Sequence, residues 1–368
     1  MKLHFHRPSL MTAFTIVNTV VPSRTPREIL KNVKLHVADG VATLIGTDQE
    51  VGIRYQISGV ETQSAGETLL PTARVLSILR ELHDESVDFE IEDDKVWIRS
   101  GHSEFRLSAE DPAEFPTVAE FAEEKFHVVD GNVFKEAIRR TIFATDVEST
   151  RYALGGVLLE LGTDSMALVA TDSRRLALVK VPCKSNGADD PENNAPVVPR
   201  AAMSLIEKSI EEGTEVQLAV HANDVLIKCG NSTIYSRLVD GRFPKYADVI
   251  PSSPEHSVEL VTGPFYSAVR QAQIVTNEDS RGVDFTFKDG TLTLNSSAAE
   301  IGTSTIELPI SYEEDELTIK FDPRFVAEFL RVLEQEKQVK WDLIDPESPA
   351  VLRTDDEYTY VIMPLSRD

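Results

Sequence analysis

Cysteine is scarce: Cys183 and Cys229 are the only two in 368 residues. With no close pair they make neither a disulfide framework nor a CxxC metal site, and a reducing cytoplasm is the expected setting. Long apolar runs are also missing, so no bilayer span is expected. The stretch from Leu10 to Val21 sits behind Lys2 and Arg7 as a signal-peptide core would. However, Thr12, Thr15, Asn18 and Thr19 interrupt it, Pro8-Ser9 reads as a helix start, and no small-residue cleavage site follows. Catalytic signatures are absent as well: no Gly-rich phosphate loop, no nucleophile elbow and no HExxH helix. Positive charge is in deficit, with 37 Lys+Arg against 61 Asp+Glu and a formal charge of −24. Taken alone, that balance opposes nucleic-acid binding, which depends on Lys and Arg meeting phosphate.

What the chain does have is repetition. NVKLHVADGVATLIGTD ends at Asp48, GGVLLELGTDSMALVATD ends at Asp172, and a fainter GVDFTFKDGTLTLN runs from Gly282 to Asn295. Each reads as two alternating strands joined by a short polar turn. Each third divides again. A strand and helix open the first half: KLHFH before Ser9–Val21, KFHVV before Asn132–Thr145, and HSVELV before Pro264–Thr276. A short strand ending in Pro or Asp, then a helix, opens the second: LLPTA at Leu69, VVPRA at Val197 and KFDPR at Lys320.

Apolar residues recur at helical spacing behind those starts, as in Val75, Leu76, Leu79 and Leu82, or Phe325, Val326, Phe329 and Leu330. VWIRSGHSEFRL from Val96 parallels VLIKCGNSTIYSRL from Val225, each with a hairpin glycine, and Phe-Pro recurs at Phe115 and Phe243. The expected fold is α+β: three repeated domains spanning 1–122, 123–253 and 254–368, each with two helices on antiparallel sheets. The segment from Lys184 to Pro196 reads as a loop inside the middle domain.

Candidate chemistry is thin. His4 and His6 share one face of an expected edge strand, with no third metal ligand nearby. Asp48 and Asp172 are the best candidates for the paired carboxylates of a metal-dependent hydrolase. Their equivalence by repeat favours a turn role, and no enzyme, metal or cofactor is expected. Within the six expected helices, Thr72–His83, Arg200–Glu212 and Pro323–Glu336 completing the set, ten Lys/Arg face eight Asp/Glu. The helices are thus slightly positive inside a strongly acidic chain. The basic set is Arg74, Arg80, Lys135, Arg139, Arg140, Arg200, Lys208, Arg270, Arg324 and Arg331.

Five segments in order carry a resemblance: RYALGGVLLE from Arg151, ATDSRRLA from Ala170, LVDGRFPKY from Leu238, NEDSRGV from Asn277 and YVIMPL from Tyr360. Over its full length the sequence resembles the bacterial DNA polymerase sliding clamp, the β subunit of the replicative polymerase. The resemblance implies a head-to-tail homodimeric ring of six domains around duplex DNA, serving as a processivity factor in DNA replication. It also implies a pocket for short peptide motifs of DNA polymerase III, the clamp loader and repair proteins. Topology would then replace adhesion, so weak, sequence-blind phosphate contacts suffice, and an acidic exterior is expected of such a ring.

Carried over residue by residue, the implied pocket comprises Leu154, Gly156, Thr171, Ser173, Arg175, Leu176, Pro244, Val249, Phe325, Pro349, Val361, Met363, Pro364 and Leu365. Thr171 and Arg175 would bond the peptide backbone. DNA-facing residues would be Arg24, Arg80, Tyr152, Arg200 and Arg281. The dimer interface would set Phe105 and Leu107 against Ile274 and Val275. The chain departs from the family where many relatives carry Gly-His instead of Ser173-Arg174, and a basic residue instead of Asp248. It also has Glu148 in place of a neutral polar residue and continues to Asp368. Those departures leave room for a specialised clamp paralogue serving repair or resistance.

Overall fold

The computed structural model describes residues 1–57, 59–62, 64–92, 94–146, 152–188, 195–277, 280–299 and 301–366, with the backbone alone for Tyr152. It has six α-helices among the described residues: α1 (Arg7–Val17), α2 (Thr72–Glu81), α3 (Gly131–Thr141), α4 (Arg200–Ser209), α5 (Thr262–Ala272) and α6 (Pro323–Arg331). Their starts follow the sequence signals. Asp130 accepts a hydrogen bond from the Val133 N–H at 3.0 Å, and Asp322 accepts from the Arg324 N–H ahead of Pro323. The helices run nine to eleven residues, about 14–17 Å at 1.5 Å per residue. They stop roughly a turn sooner than periodicity suggests. Leu82 and Ile210 end α2 and α4 in extended conformation, with their side chains turned back into the core.

The strands form four antiparallel sheets among the described residues, with nine, eight, five and four strands. Asp39-Gly40 and Asp289-Gly290, both at positive φ, close the hairpins of the first and third repeats, as an Asp-Gly pair demands. Each domain holds two half-sheets, and the domains join by strand pairing. Val51–Ile57 of the first domain pairs with Ser232–Arg237 of the second, Ile53 opposite Ile234. Arg175–Pro182 of the second pairs with Tyr358–Ile362 of the third, Ala177 opposite Tyr360. The remaining half-sheets end in strands paired on one side only, Ser103–Ser108 in the first domain and Gly302–Pro309 in the third.

Helices pack as pairs, α1 on α2, α3 on α4 and α5 on α6, with α1 also touching α4. Their apolar stripes and one face of each sheet fill a core that runs through all three domains. In the third domain Trp341 is fully buried among Phe265, Phe285, Phe287 and Phe321, ring centroids 5.3–5.5 Å away; each such aromatic contributes about 1.5–3 kcal/mol by burial.

Two sequence expectations change here. Lys2–His6 is not an edge strand; it pairs with Ser86–Glu92 on one side and Glu61–Thr62 on the other. His4 bonds Asp88 and His6 bonds Ser9. Within the expected loop, Lys184–Asn186 forms a short strand on Phe126–Asp130, while 189–194 lie outside the described residues.

Candidate functional site

Alternation along Arg175–Pro182 sends Ala177 and Val179 to the helix side and Leu176 and Leu178 to the outer side. There Leu176 and Leu178 join Leu158, Ala167, Val169, Val197, Val351 and Val361 in an apolar cluster of their own, partly covered by Phe243, Tyr246 and Ile250. Thr171, Leu176 and Val361 stand in one row across three strands. Leu176 and Val361 form its buried floor, while Val249 (51 % exposed) and Met363 (41 %) stand in solvent. The Met363 N–H bonds the Arg174 carbonyl at 2.8 Å, fixing the C-terminal segment to the middle domain. A cleft of about 1160 Å³ includes Pro244 and Asp248, and another of about 820 Å³ includes Ser348, Pro364 and Leu365. Pro349 is half-buried between Ser348 and the strand Ala350–Arg353.

Other residues of the implied pocket have structural tasks. A Cβ on Gly156 would lie 2.4 Å from the Val198 carbonyl oxygen, so glycine is required by packing. Leu154 is 2 % exposed. The Thr171 hydroxyl donates to the Arg175 carbonyl at 2.7 Å and accepts from the Ser173 N–H, and Ser173 has φ +73°. Arg175 is buried and committed. Its Nε donates to Asp172 at 3.0 Å, one terminal nitrogen pairs with Glu328 of α6, and the other donates to the Phe143 carbonyl. The guanidinium also lies 4.3 Å from the Phe325 ring centroid. Burial works against its charge, but Tyr360, Glu328 and Asp172 raise its pKa overall. Arg175 therefore braces the second junction, and the Thr171 hydroxyl holds the turn before it.

A second tie crosses the same junction. Arg140 of α3 pairs with Asp356 at 2.9 Å and lies over the Tyr358 ring, whose hydroxyl donates to the Arg140 carbonyl. Burial opposes ionisation of Asp356, yet hydrogen bonds from Thr354 and Arg140, with the charges of Arg140 and Lys337, hold its carboxyl at about 2.

Asp48 and Asp172 are turn residues. Each accepts two backbone N–H bonds through one oxygen, from Glu50 and Val51 and from Arg174 and Arg175 respectively. Among the described residues no three His, Cys, Asp or Glu side chains gather as a metal site.

The helices carry eleven Lys/Arg against four Asp/Glu, a net +7, leaving −31 on the rest of the chain. The contrast exceeds the sequence expectation because Glu211, Glu212, Glu334 and Glu336 lie beyond the helix ends. Several cations are engaged: Lys135 caps the Ile210 carbonyl, Arg139 pairs with Glu207, and Arg324 with Asp322. Arg74, Arg80, Lys208 and Arg331 are exposed and make no ion pair among the described residues. They project from helix faces opposite the buried stripes. Arg24 is exposed in the loop after α1, Arg281 is exposed, and Arg200 opens α4 with a 3.2 Å bond to Thr145. The Tyr152 side chain and Glu148 lie outside the described residues.

Phe105 and Leu107 are half-buried on the edge strand Ser103–Ser108. Ile274 is 76 % exposed in the turn Gln273–Val275, which packs on the other edge strand, Gly302–Pro309. Sequence reading missed that strand, although Thr303-Ser304-Thr305-Ile306-Glu307-Leu308 alternates with period two. It also missed Phe243 and Tyr246 as the cover of the apolar cluster.

Three family models match in succession: the DNA polymerase III beta subunit N-terminal domain over residues 1–119, its central domain over 128–245 and its C-terminal domain over 247–366. The chain is 26% identical to a beta sliding clamp of Chlamydia muridarum, covering 99% of each chain. It is 28% identical to the beta sliding clamp of Escherichia coli K12, covering 99% of this chain and 100% of that one. Its fold superposes on the DNA polymerase sliding clamp from Bacillus subtilis with a TM-score of 0.91 at 26% identity. The sliding clamp from Pseudomonas aeruginosa bound to griselimycin gives 0.89 at 28% identity, and both cover each chain fully. With all three family domains in order along a chain whose halves, junctions and helices repeat, the protein belongs to the DNA polymerase III beta subunit family.

Proposed function

We propose that this chain is a DNA sliding clamp: two copies join head to tail in a ring around duplex DNA and tether the replicative polymerase. The carrying observation is the repeated junction. Twice within the chain, the third strand of one first-half sheet pairs with the last strand of the next domain's second-half sheet. The unsatisfied members of that pattern are Gly302–Pro309 and Ser103–Ser108. A second copy supplies each with its partner, giving a nine-stranded sheet like the one within the chain, and an unpaired edge gains most from such cover. Phe105, Leu107, Ile274 and Val275 flank this closing junction.

The helices, net positive, then line the opening, where Arg24, Arg80, Arg200 and Arg281 with Arg74, Lys208 and Arg331 meet phosphate weakly enough to slide. The outer cluster around Leu176 and Val361, with Val249 and Met363 at its rim, takes the apolar anchors of short peptides from polymerase, clamp loader and repair proteins. The reading includes no catalysis, a cytoplasmic location, and domain boundaries near residues 122 and 253. No helix among the described residues is long and apolar enough to cross a membrane.

The test is topological. Protein loaded by a clamp loader onto nicked circular DNA should remain bound until the DNA is linearised, then leave by the free ends. Retention on linear DNA with open ends contradicts the ring.

A further inference from the structure

The apolar cluster on the outer face of the second junction has a counterpart at the first. Ile45, Leu69, Phe115 and Val118 form a small cluster with Ile29 and Tyr235 against them. The strand ladders give both clusters the same addresses. Thr47 faces Gly52 and Gly52 faces Tyr235; Thr171 faces Leu176 and Leu176 faces Val361. Phe115-Pro116 repeats as Phe243-Pro244, so Val118 corresponds to Tyr246. The two junctions differ at one decisive pair. A Cβ on Gly52 would lie 2.9 Å from both methyl carbons of Val118, so the valine sits directly on the bare glycine. At the second junction Leu176 fills that place, and Tyr246 packs against the cluster while its hydroxyl donates to Glu160.

We infer that the first junction is a latent peptide site, filled in cis by the chain's own segment 115–120. Phe115 and Val118 serve as its apolar anchors, 7 % and 5 % exposed. The extended linker crosses the sheet as a bound peptide would, and Arg54 of the underlying strand reaches the Val118 carbonyl and the Glu120 carboxylate. At the second junction the corresponding segment covers the cluster only in part, through Phe243, Tyr246 and Ile250, and leaves Val249 and Met363 exposed beside it. One chain therefore offers one partly covered site and keeps its twin closed. The inference rests on the proposed peptide pocket for what the latent site would take.

The test uses the full chain carrying Phe115→Ala and Val118→Ala, and a labelled octapeptide of residues 114–121 (EFPTVAEF) as probe. Anisotropy should show one peptide bound per variant chain at a concentration where the wild type binds at least tenfold less. Adding Gly52→Leu to the variant should abolish that binding by filling the dimple. A folded variant of unchanged solution mass that binds no more probe than wild type overturns the inference. Should the double variant fail to fold, Gly52→Ala decides: the added methyl must lift Val118 and speed hydrogen exchange across 116–121. Unchanged exchange there also overturns it. Failure of the second-junction pocket is seen separately, as absence of partner-peptide binding to wild type.

Discussion

Replacing Ser103 and Ile306 together by cysteine tests both ring closure and its register. In the first domain Leu44 faces Tyr55 across the hairpin, and Tyr55 faces Ser232 across the junction. In the third domain Leu294, at the same distance past its Asp-Gly turn, faces Ile306. Ser103 follows Gly101 as Ser232 follows Gly230, so the repeated pattern sets Ser103 opposite Ile306 and Phe105 opposite Ser304. This register also turns the half-buried faces of both strands to the same side, which a one-residue slip would not.

Distances decide the outcome. The Gln56 N–H bonds the Asn231 carbonyl and the Lys180 N–H bonds the Glu357 carbonyl, each across directly opposed residues. The pairs one step along are therefore the closer, non-hydrogen-bonded kind, and Ser103/Ile306 is one of them. Its Cα atoms should lie about 4.5 Å apart, inside the range of about 4.4–6.8 Å that a disulfide spans. Pairing Ser103→Cys with Ser304→Cys or Leu308→Cys shifts one cysteine by two residues, about 6.8 Å along the strand, and opens the gap to about 8 Å.

Cys183 and Cys229 are buried, and burial pushes the Cys229 thiol up to about 12, so neither competes. Mild oxidation of S103C/I306C should give, on a non-reducing gel, a covalent species of two chains and nothing larger. The two-residue-shifted controls should stay mostly uncrosslinked. A ladder of longer multimers would mean that the edges pair without closing, and faster crosslinking of either control would refute the register.

Three further outcomes are expected. Arg175→Met leaves the Asp172 and Glu328 carboxylates without their partner and should cost about 3–5 kcal/mol in urea unfolding, with part recovered in R175M/E328Q. Arg74→Glu with Arg80→Glu should weaken reversible binding to short linear duplex while leaving retention on closed circular DNA unchanged; if each arginine meets one phosphate, the salt slope of the linear-duplex affinity falls by about 2. Asp356 holds a folded pKa of about 2 against an ordinary 3.8. Its stabilisation is therefore whole above pH 4 and lost as pH falls through 3.8 towards 2. After screening of a part-exposed carboxylate this is about 1 kcal/mol. Urea melts of Asp356→Asn should differ from wild type by that amount at pH 5, and the difference should shrink as pH falls through 3.8 and vanish only below about pH 2.

The fold was legible wherever one side chain type has one local consequence. Asp-Gly at 39–40 and 289–290 favours a tight turn, Pro71 and Pro199 stand immediately before α2 and α4, and Asp322-Pro323 caps α6. Helix ends were less legible, because Leu82 and Ile210 are apolar residues that continue the helical spacing while their backbones leave the helix. The bonding within the site was not legible for a similar reason. The resemblance names Arg175 and Thr171 as pocket residues, but only the fold brings Glu328, Phe325 and Phe143 around the guanidinium. The edge strand Gly302–Pro309 was missed because its Thr/Ser-rich alternation is weak in apolar signal, which suits a strand that awaits a partner.

One backbone arrangement thus recurs with outward rows of different chemistry. At the first junction the facing pair is Gly52 and Tyr235, and the linker valine closes it. At the second it is Leu176 and Val361, an apolar floor only partly covered by Phe243, Tyr246 and Ile250. In the proposed register the third pair is Thr303 and Arg106, both exposed in the single chain, and a polar pair tolerates water before and after the ring closes. The helix-side rows face the continuous core and have no such freedom: Ile53, Ala177 and Ile234 are fully buried. Packing fixes the inner rows, with Ile53 opposite Ile234 at the first junction and Ala177 opposite Tyr360 at the second. The assignment of one junction to ligand, one to linker and one to a second copy rests on a handful of outward side chains, and exchanging Gly52 for leucine is the smallest change that should blur it.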